Sequence, residues 1–138
     1  MTQLVPDTSK VSDDDVVLLT VPAAGAYLGV LRTATAGLAA RLQFTLDEIE
    51  DLRIAVDEAC AMLLAVAVED ADLTCRFTAT GDELSIGTSV PVASDGVRLP
   101  SGDSFAWQVL SALTDEVAAE ISPLRATIQL TKRRPTVH

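Results

Sequence analysis

Glu58 and Met62 stand four residues apart in the stretch Asp47 to Val68, which has the longest run of apolar residues at helical spacing in the chain. Side chains four residues apart project from the same face of a helix, so these two form a patch beside the apolar stripe. A single carboxylate in such a position is usually a solvated residue at the rim of the core. Whether Glu58 does chemistry therefore depends on what the rest of the chain places around it.

Cysteine and histidine add no further reactive centre. Cys60 lies in the predicted helix and Cys75 in a predicted strand, and neither has a second Cys or His nearby at the spacing of metal ligands. Both are typical of small buried hydrophobic residues in a reducing compartment, and no metal site is predicted. The one histidine, His138, is the last residue, which argues against mechanisms that need a positioned imidazole.

The chain is acidic, with 20 acidic and 10 basic residues among 138 and a net charge of -10. This balance argues against sequence-independent binding to nucleic acid or to an anionic membrane, since both depend on clustered lysine and arginine. The one short basic cluster, Lys132 to Arg134, is interpreted as a solvated end. Residues 1 to 15 lack the order of a signal peptide and no apolar run reaches the roughly 18 residues of a membrane span, so we expect a cytoplasmic protein.

We predict a mobile arm at residues 1–15, one domain at 16–132 and a tail at 133–138. The second helix of the domain, which contains Glu58, begins with Thr45 and Glu48 in a capping-box pattern. The first helix is predicted at Tyr27 to Leu42. On its outer side Arg32 stands among the small residues Gly29 and Ala36, so it is either a solvated arginine with poor neighbours or the anchor of a partner-docking face.

Four strands are predicted from alternating or β-branched runs, at Val16 to Val21, Leu73 to Thr80, Glu83 to Val90 and Arg125 to Thr131. Gly81-Asp82 joins the second and third strands as a tight hairpin turn, which makes them antiparallel neighbours with one wet face.

Pro91 to Asp103 is a long loop rich in Pro, Gly, Ser and Asp, which is typical of a functional or a mobile segment. Asp103 or Ser104 can cap a third helix, predicted at Phe105 to Ile121 with Phe105 on its buried side and closed by Ser122-Pro123. The element order predicts a two-layer α/β sandwich, with three helices on one face of a four- to five-stranded mixed sheet.

The order of elements and the segments DEIEDLRIAVDEAC, SGDSFAWQVLSALTDEV and SPLRATIQLTK resemble the serine-kinase anti-sigma factors of the RsbW and SpoIIAB type. These belong to the Bergerat-fold (GHKL) ATPase superfamily, which includes the histidine kinases. The resemblance covers about residues 16 to 132. It implies a Bergerat-like fold, a homodimer, and ATP with Mg²⁺ as the cofactors of the family.

In that family the second helix carries a glutamate that acts as general base toward a serine and, four residues later, an asparagine that ligates Mg²⁺. The resemblance puts Glu58 at the first position, as a working base or its relic, and Met62 at the second. Mg²⁺ requires oxygen ligands, and a thioether cannot replace an amide oxygen. The metal-binding half of this motif is therefore lost.

The other nucleotide-binding positions of the family are an acid for adenine, glycines that cradle phosphate and a Gly-Thr pair, and they fall on or near Ser89, Gly102, Ser104, Ala106 and Thr127. Ser89 is not an acid, and Ser104 and Ala106 replace the two glycines. Phosphate binding at a helix start needs bare N–H groups and permissive backbone. We therefore expect ATP binding that is weak or lost.

The resemblance implies an anti-sigma factor that sequesters an alternative sigma factor and is countered by an anti-anti-sigma protein of the STAS type. Arg32 matches the partner-contacting arginine of the family's first helix, with Gly29 and Ala36 beside it. One alternative is an active serine kinase that phosphorylates its STAS partner with Glu58 as base. Another is an ATPase-like module that binds a different regulator through the same helix.

Overall fold

The computed structural model describes residues 15–100, 102–121 and 123–135. Three helices cover one face of a five-stranded sheet, so the predicted two-layer sandwich is confirmed. The strands are β1 (Asp15–Pro22), β2 (Asp72–Thr80), β3 (Glu83–Pro91), β4 (Glu116–Ile121) and β5 (Arg125–Arg133), in the spatial order β1-β2-β3-β5-β4.

Every neighbouring pair of strands is antiparallel, so the expected mixed sheet is wrong. The reason is the position of β5. The long connection from β3 through the third helix brings β4 back parallel to β3, but β5 then turns and enters the sheet between them. The parallel pair is thereby separated by an antiparallel strand.

The helices are α1 (Leu28–Arg41), α2 (Leu46–Leu64) and α3 (Phe105–Leu113), and a short 3-10 turn at Gly25–Tyr27 precedes α1. The capping box is confirmed: the Thr45 hydroxyl accepts a hydrogen bond from the Glu48 amide at 3.2 Å, and the Glu48 carboxylate accepts one from the Thr45 amide at 2.7 Å. The hairpin turn is confirmed too, with Gly81 at a φ of +59°, a conformation that favours glycine.

The third helix is much shorter than predicted. It ends at Leu113, and Glu116–Ile121 forms β4, because Thr114 adopts extended backbone and the Asp115 amide donates to the Thr131 carbonyl at 2.8 Å. Val117 fits the helical spacing of α3, but it also fits the two-residue period of a strand in which Val117 and Ile121 pack against the core. Phe105 is 82% exposed rather than buried, and Leu110 is the fully buried member of α3.

Helix α2 lies at the centre of the helical layer. It contacts α1 on one side and α3 on the other, and it packs against β3 and β5 near the middle of the sheet. Its inward side chains meet the alternate inward residues of the strands, and the core is formed mainly by Leu31, Leu52, Val56, Leu63, Leu73, Phe77, Leu84, Ile86, Val90, Leu110, Ile128 and Leu130.

The predicted arm at residues 1–15 and tail at 133–138 lie mostly outside the described residues, as do His138 and the Ser122 of the predicted helix end. The exceptions are Asp15, which belongs to β1, and residues 133–135, of which Arg133 ends β5. In the part of the chain that the structure describes, no helix is long and apolar enough to cross a membrane.

Replacing Thr45 by Ala removes the side chain that caps α2. We expect the free energy of unfolding to fall by about 1 kcal/mol, because the Glu48 amide loses its partner and the reciprocal bond loses its geometry. Urea denaturation measures this. Thr33→Ala, an exposed threonine of α1, is the matched control and should change stability by less than about 0.5 kcal/mol; equal effects of the two variants would contradict the role of the cap.

Cys60 on α2 and Cys75 on β2 are fully buried. Burial, with a smaller contribution from Asp57, raises the pKa of the Cys60 thiol from its ordinary 9.0 to about 12, and burial also raises the pKa of Cys75. Both groups therefore stay neutral in the folded protein, and the thiolate is the reactive form.

We expect both thiols to react with a disulfide reagent at pH 8 only as the protein unfolds, with the rate rising steeply in urea. The pH dependence follows from the raised pKa values. The stability that the neutral thiols contribute is fully present below the ordinary pKa of 9.0 and is lost as the pH rises toward 12, the folded value for Cys60. Fast stoichiometric labelling of the native protein would contradict this burial.

Candidate functional site

Glu58 and Met62 lie on α2 as predicted, but in different environments. Glu58 is half-buried, and its carboxylate makes no hydrogen bond or ion pair with another residue of the described part of the chain. Met62 is only 6% exposed and belongs to the hydrophobic core. The thioether thus packs as an apolar group, while the carboxylate beside it stays at the surface.

Lys132 of β5 contacts both α2 and α3. Its Nζ donates to the Leu113 carbonyl at 3.0 Å and lies 3.6 Å from the Asp51 carboxylate. The C-terminus of α3 is therefore beside the first half of α2. Helix α3 packs against α2.

The start of α3 is closed by its own side chains. The Ser104 hydroxyl accepts a hydrogen bond from the Trp107 amide at 3.1 Å and caps the helix. Ala106 is half-buried and packs against the core. The amide of Trp107, one of the orphan N–H groups that a phosphate would use at a helix start, is thus already bonded within the chain.

Ser89 and Thr127 are not part of this cluster. They are paired across β3 and β5, and each is flanked by buried residues that point toward the helices, so both face the uncovered side of the sheet. The Ser89 hydroxyl accepts from Arg125 Nη2 at 3.0 Å. The sheet therefore lies between these two positions and Glu58, and the structure does not bring them together. Val90, next to Ser89, is the residue that faces the helices.

The residues at the family's ATP positions do not fit a Mg²⁺–ATP complex. Met62 offers sulfur where a hard cation needs oxygen, Ser104 occupies an amide at the helix start, and Ser89 points away. Among residues 15–100, 102–121 and 123–135, no three His, Cys, Asp or Glu side chains lie close enough together to hold a metal ion.

Gly102 lies instead at a cavity of about 450 Å³ between the long loop, α3 and β4. It sits against the indole of Trp107, to which an added Cβ would come within 3.7 Å. The cavity is otherwise lined mainly by apolar loop and β4 residues, with Arg98 and Glu120 as its charged members. Sequence reasoning missed this cavity, although the chain's single tryptophan was a signal for it.

Arg32 on α1 is held by α2. Its Nη1 donates to both carboxylate oxygens of Asp57, at 2.9 Å and 3.0 Å, and each side chain is 39% exposed. Arg32 is thus neither fully solvated nor free. The sequence did not point to Asp57. It lies 25 residues after Arg32 on a different helix, and helical spacing relates only residues of the same helix.

A shallow groove runs along the outer side of α1 beside Arg32. Its volume is about 660 Å³, and it is lined by Leu19 of β1 and by Ala26, Gly29, Val30, Thr33 and Ala34. Tyr27 and Val30 are exposed large side chains at this surface. Of the predicted docking residues, Gly29 lies in the groove and Arg32 beside it, whereas Ala36 is half-buried one turn further along and does not line it.

Comparison with known proteins gives close relatives although no protein-family model matches the chain. The chain is 36% identical over 101 residues to the anti-sigma-F factor RsbW of Mycobacterium tuberculosis, across 73% of this chain and 59% of that relative. It is 37% identical over 94 residues to the serine-protein kinase RsbW of Bacillus subtilis, across 66% of this chain and 52% of that relative. The chain therefore spans between half and three-fifths of the length of these relatives.

A solved structure has the same architecture. The crystal structure of the RsbU and RsbW domains of a Mycobacterium tuberculosis protein matches with a TM-score of 0.66, across 88% of this chain and 33% of that chain, at 16% identity. At that identity the match establishes the fold alone. With the sequence relatives, it confirms the resemblance that the helix and strand motifs indicated: the chain belongs to the RsbW family.

Proposed function

We propose that this chain is a cytoplasmic anti-sigma factor that binds an alternative sigma factor and releases it when an anti-anti-sigma protein of the STAS type competes for an overlapping surface. The RsbW relatives named as an anti-sigma-F factor and as a serine-protein kinase support this role. The observation that carries it is the surface of α1, where Arg32 lies beside the groove lined by Gly29 and Val30.

This surface has the features of a protein-binding site. Arginine is enriched among residues that dominate binding energy, and here its Nη2 lies 3.5 Å from the Cβ position of Gly29, which lines the groove together with the exposed Val30. The net charge of -10 favours basic partners, because complementary charge speeds encounter and fixes register. A sigma factor, which presents basic faces to DNA and polymerase, is a partner of that kind.

We propose that this chain binds ATP weakly or not at all. The buried thioether of Met62 offers no oxygen ligand to Mg²⁺, and the Ser104 hydroxyl occupies one of the helix-start amides that a phosphate would use. Release of the sigma factor is then set by competing affinities, or by modification made elsewhere.

Residues 16–132 are proposed to form a single domain. Two copies of this domain are proposed to form a homodimer. Strand β1 is an edge of the sheet, and it exposes Val16, Val17 and Leu18, the last to 62%. Exposed apolar edge strands are rare in monomers, because they pair readily with other chains.

One observation favours a second candidate function. Glu58 is partly exposed and has no side-chain partner among the described residues, which suits a general base toward a serine of a STAS protein. An active serine kinase would need a nucleotide site built differently from the family's.

Arg32→Gln should weaken binding to the cognate sigma factor on the order of 30-fold, as expected for loss of a central arginine anchor. Arg53→Gln is the matched control, since it removes the same charge from an exposed pair with Glu50 on α2 and should leave affinity within about twofold. Titration calorimetry against each alternative sigma factor of the source organism measures both. Equal affinities for the two variants would refute the assigned surface.

Titration with Mg·ATP at millimolar concentration should give no binding heat, because Met62 provides no oxygen ligand. The second candidate predicts the opposite, together with phosphate transfer from labelled ATP to a STAS partner that is lost in Glu58→Gln. Transfer by the unmodified chain and its loss in that variant would overturn the proposal of a binding protein without kinase activity.

A further inference from the structure

The guanidinium of Arg32 is only partly used by its contact with Asp57. One nitrogen, Nη1, serves both carboxylate oxygens, at 2.9 Å and 3.0 Å. Arginine has five N–H donors in a rigid planar fork. Nε and Nη2 have no hydrogen-bond partner in the described part of the chain, so most of the donor capacity remains available.

The free edge of this guanidinium lies over Gly29. A Cβ added at Gly29 would stand 3.5 Å from Nη2 of Arg32, which places this nitrogen above the backbone of the turn that also lines the groove. The Asp57 contact thus holds one end of the planar group on α2, while the other end is directed along α1. An arginine held only by its own helix would sample many rotamers instead.

The pair has little value for stability. Both side chains are 39% exposed, and ion pairs at such exposure are screened by solvent and offset by the entropy of ordering two side chains. Its main physical effect is therefore on the orientation of Arg32, since a side chain ordered before binding loses less entropy when a partner arrives.

We propose that Asp57 is a positioning residue for partner binding, which holds Arg32 so that Nε and Nη2 are presented at the lip of the α1 groove. The sigma factor of the proposed function places an acceptor oxygen on this edge. The inference rests on the proposed function for the identity of the partner, but the ordering of Arg32 by Asp57 is a property of the free protein.

The first test needs no partner. Side-chain ¹⁵N NMR of the free protein should show the Arg32 Nε–H signal ordered in the unmodified chain and mobile in Asp57→Asn. Glu50→Gln, which removes a carboxylate that pairs with Arg53 on the same helix, is the matched control and should leave Arg32 ordered. Equal mobility of Arg32 in the unmodified chain and in Asp57→Asn would overturn the proposal. Urea unfolding of the three proteins checks that their folding is the same.

The second test measures binding to each alternative sigma factor and each STAS-domain protein of the source organism. Asp57→Asn should bind roughly two- to tenfold more weakly, Glu50→Gln should bind as the unmodified chain does, and Asp57→Asn should add nothing in an Arg32→Gln background. Tighter binding by Asp57→Asn would overturn the proposal, because Asp57 would then compete with the partner for Arg32. If the unmodified chain binds none of these proteins, the proposed function fails, and the NMR result alone decides whether Asp57 positions Arg32.

Discussion

The burial of α2 is the interaction on which the rest of the structure depends. One side of the helix meets α1, the other meets α3, and the face between them packs on β3 and β5. Seven of its residues are buried, among them Leu52, Val56 and Leu63, and full burial of each such side chain contributes about 1.5–3 kcal/mol. Because a helix packed in this way cannot rotate, three of its carboxylates have fixed surroundings: Asp51 lies near Lys132, Asp57 pairs with Arg32, and Glu58 faces solvent.

Because α2 is fixed in this way, neighbouring residues on it have different surroundings. Met62, which the resemblance places at the family's metal-ligand position, belongs to the hydrophobic core. On the α1 side, Asp57 extends the polar surface of the helix toward a neighbouring arginine. A single residue step along α2 therefore passes from a carboxylate paired with Arg32 to one with no partner among the described residues.

The sequence predicted those parts of the fold that depend on local periodicity. The capping box at Thr45, the hairpin turn at Gly81 and the antiparallel pairing of β2 with β3 are confirmed, because each is encoded within a few neighbouring positions. The end of α3 was wrong, because Val117 fits a helical and a strand period equally well and only pairing with Leu130 of β5 decides between them. The facing of Ser89 follows from the alternation of β3, because Thr88 and Val90 on either side of it are buried. The Arg32–Asp57 contact joins two helices and has no local signature at all.

The position of β5 inside the sheet delays completion of the core until late in synthesis. This strand follows every other described strand in sequence, yet it lies between β3 and β4 and carries Ala126, Ile128 and Leu130 under α2. During synthesis the earlier segments can form helices and the β2–β3 hairpin. The part of the sheet on which α2 packs is incomplete until residues near 130 have emerged from the ribosome. Contacts of such long sequence separation slow folding. The surface of α1 that is proposed to bind a partner is therefore completed only once nearly all the described residues have been made, and a partially synthesised chain does not yet present it.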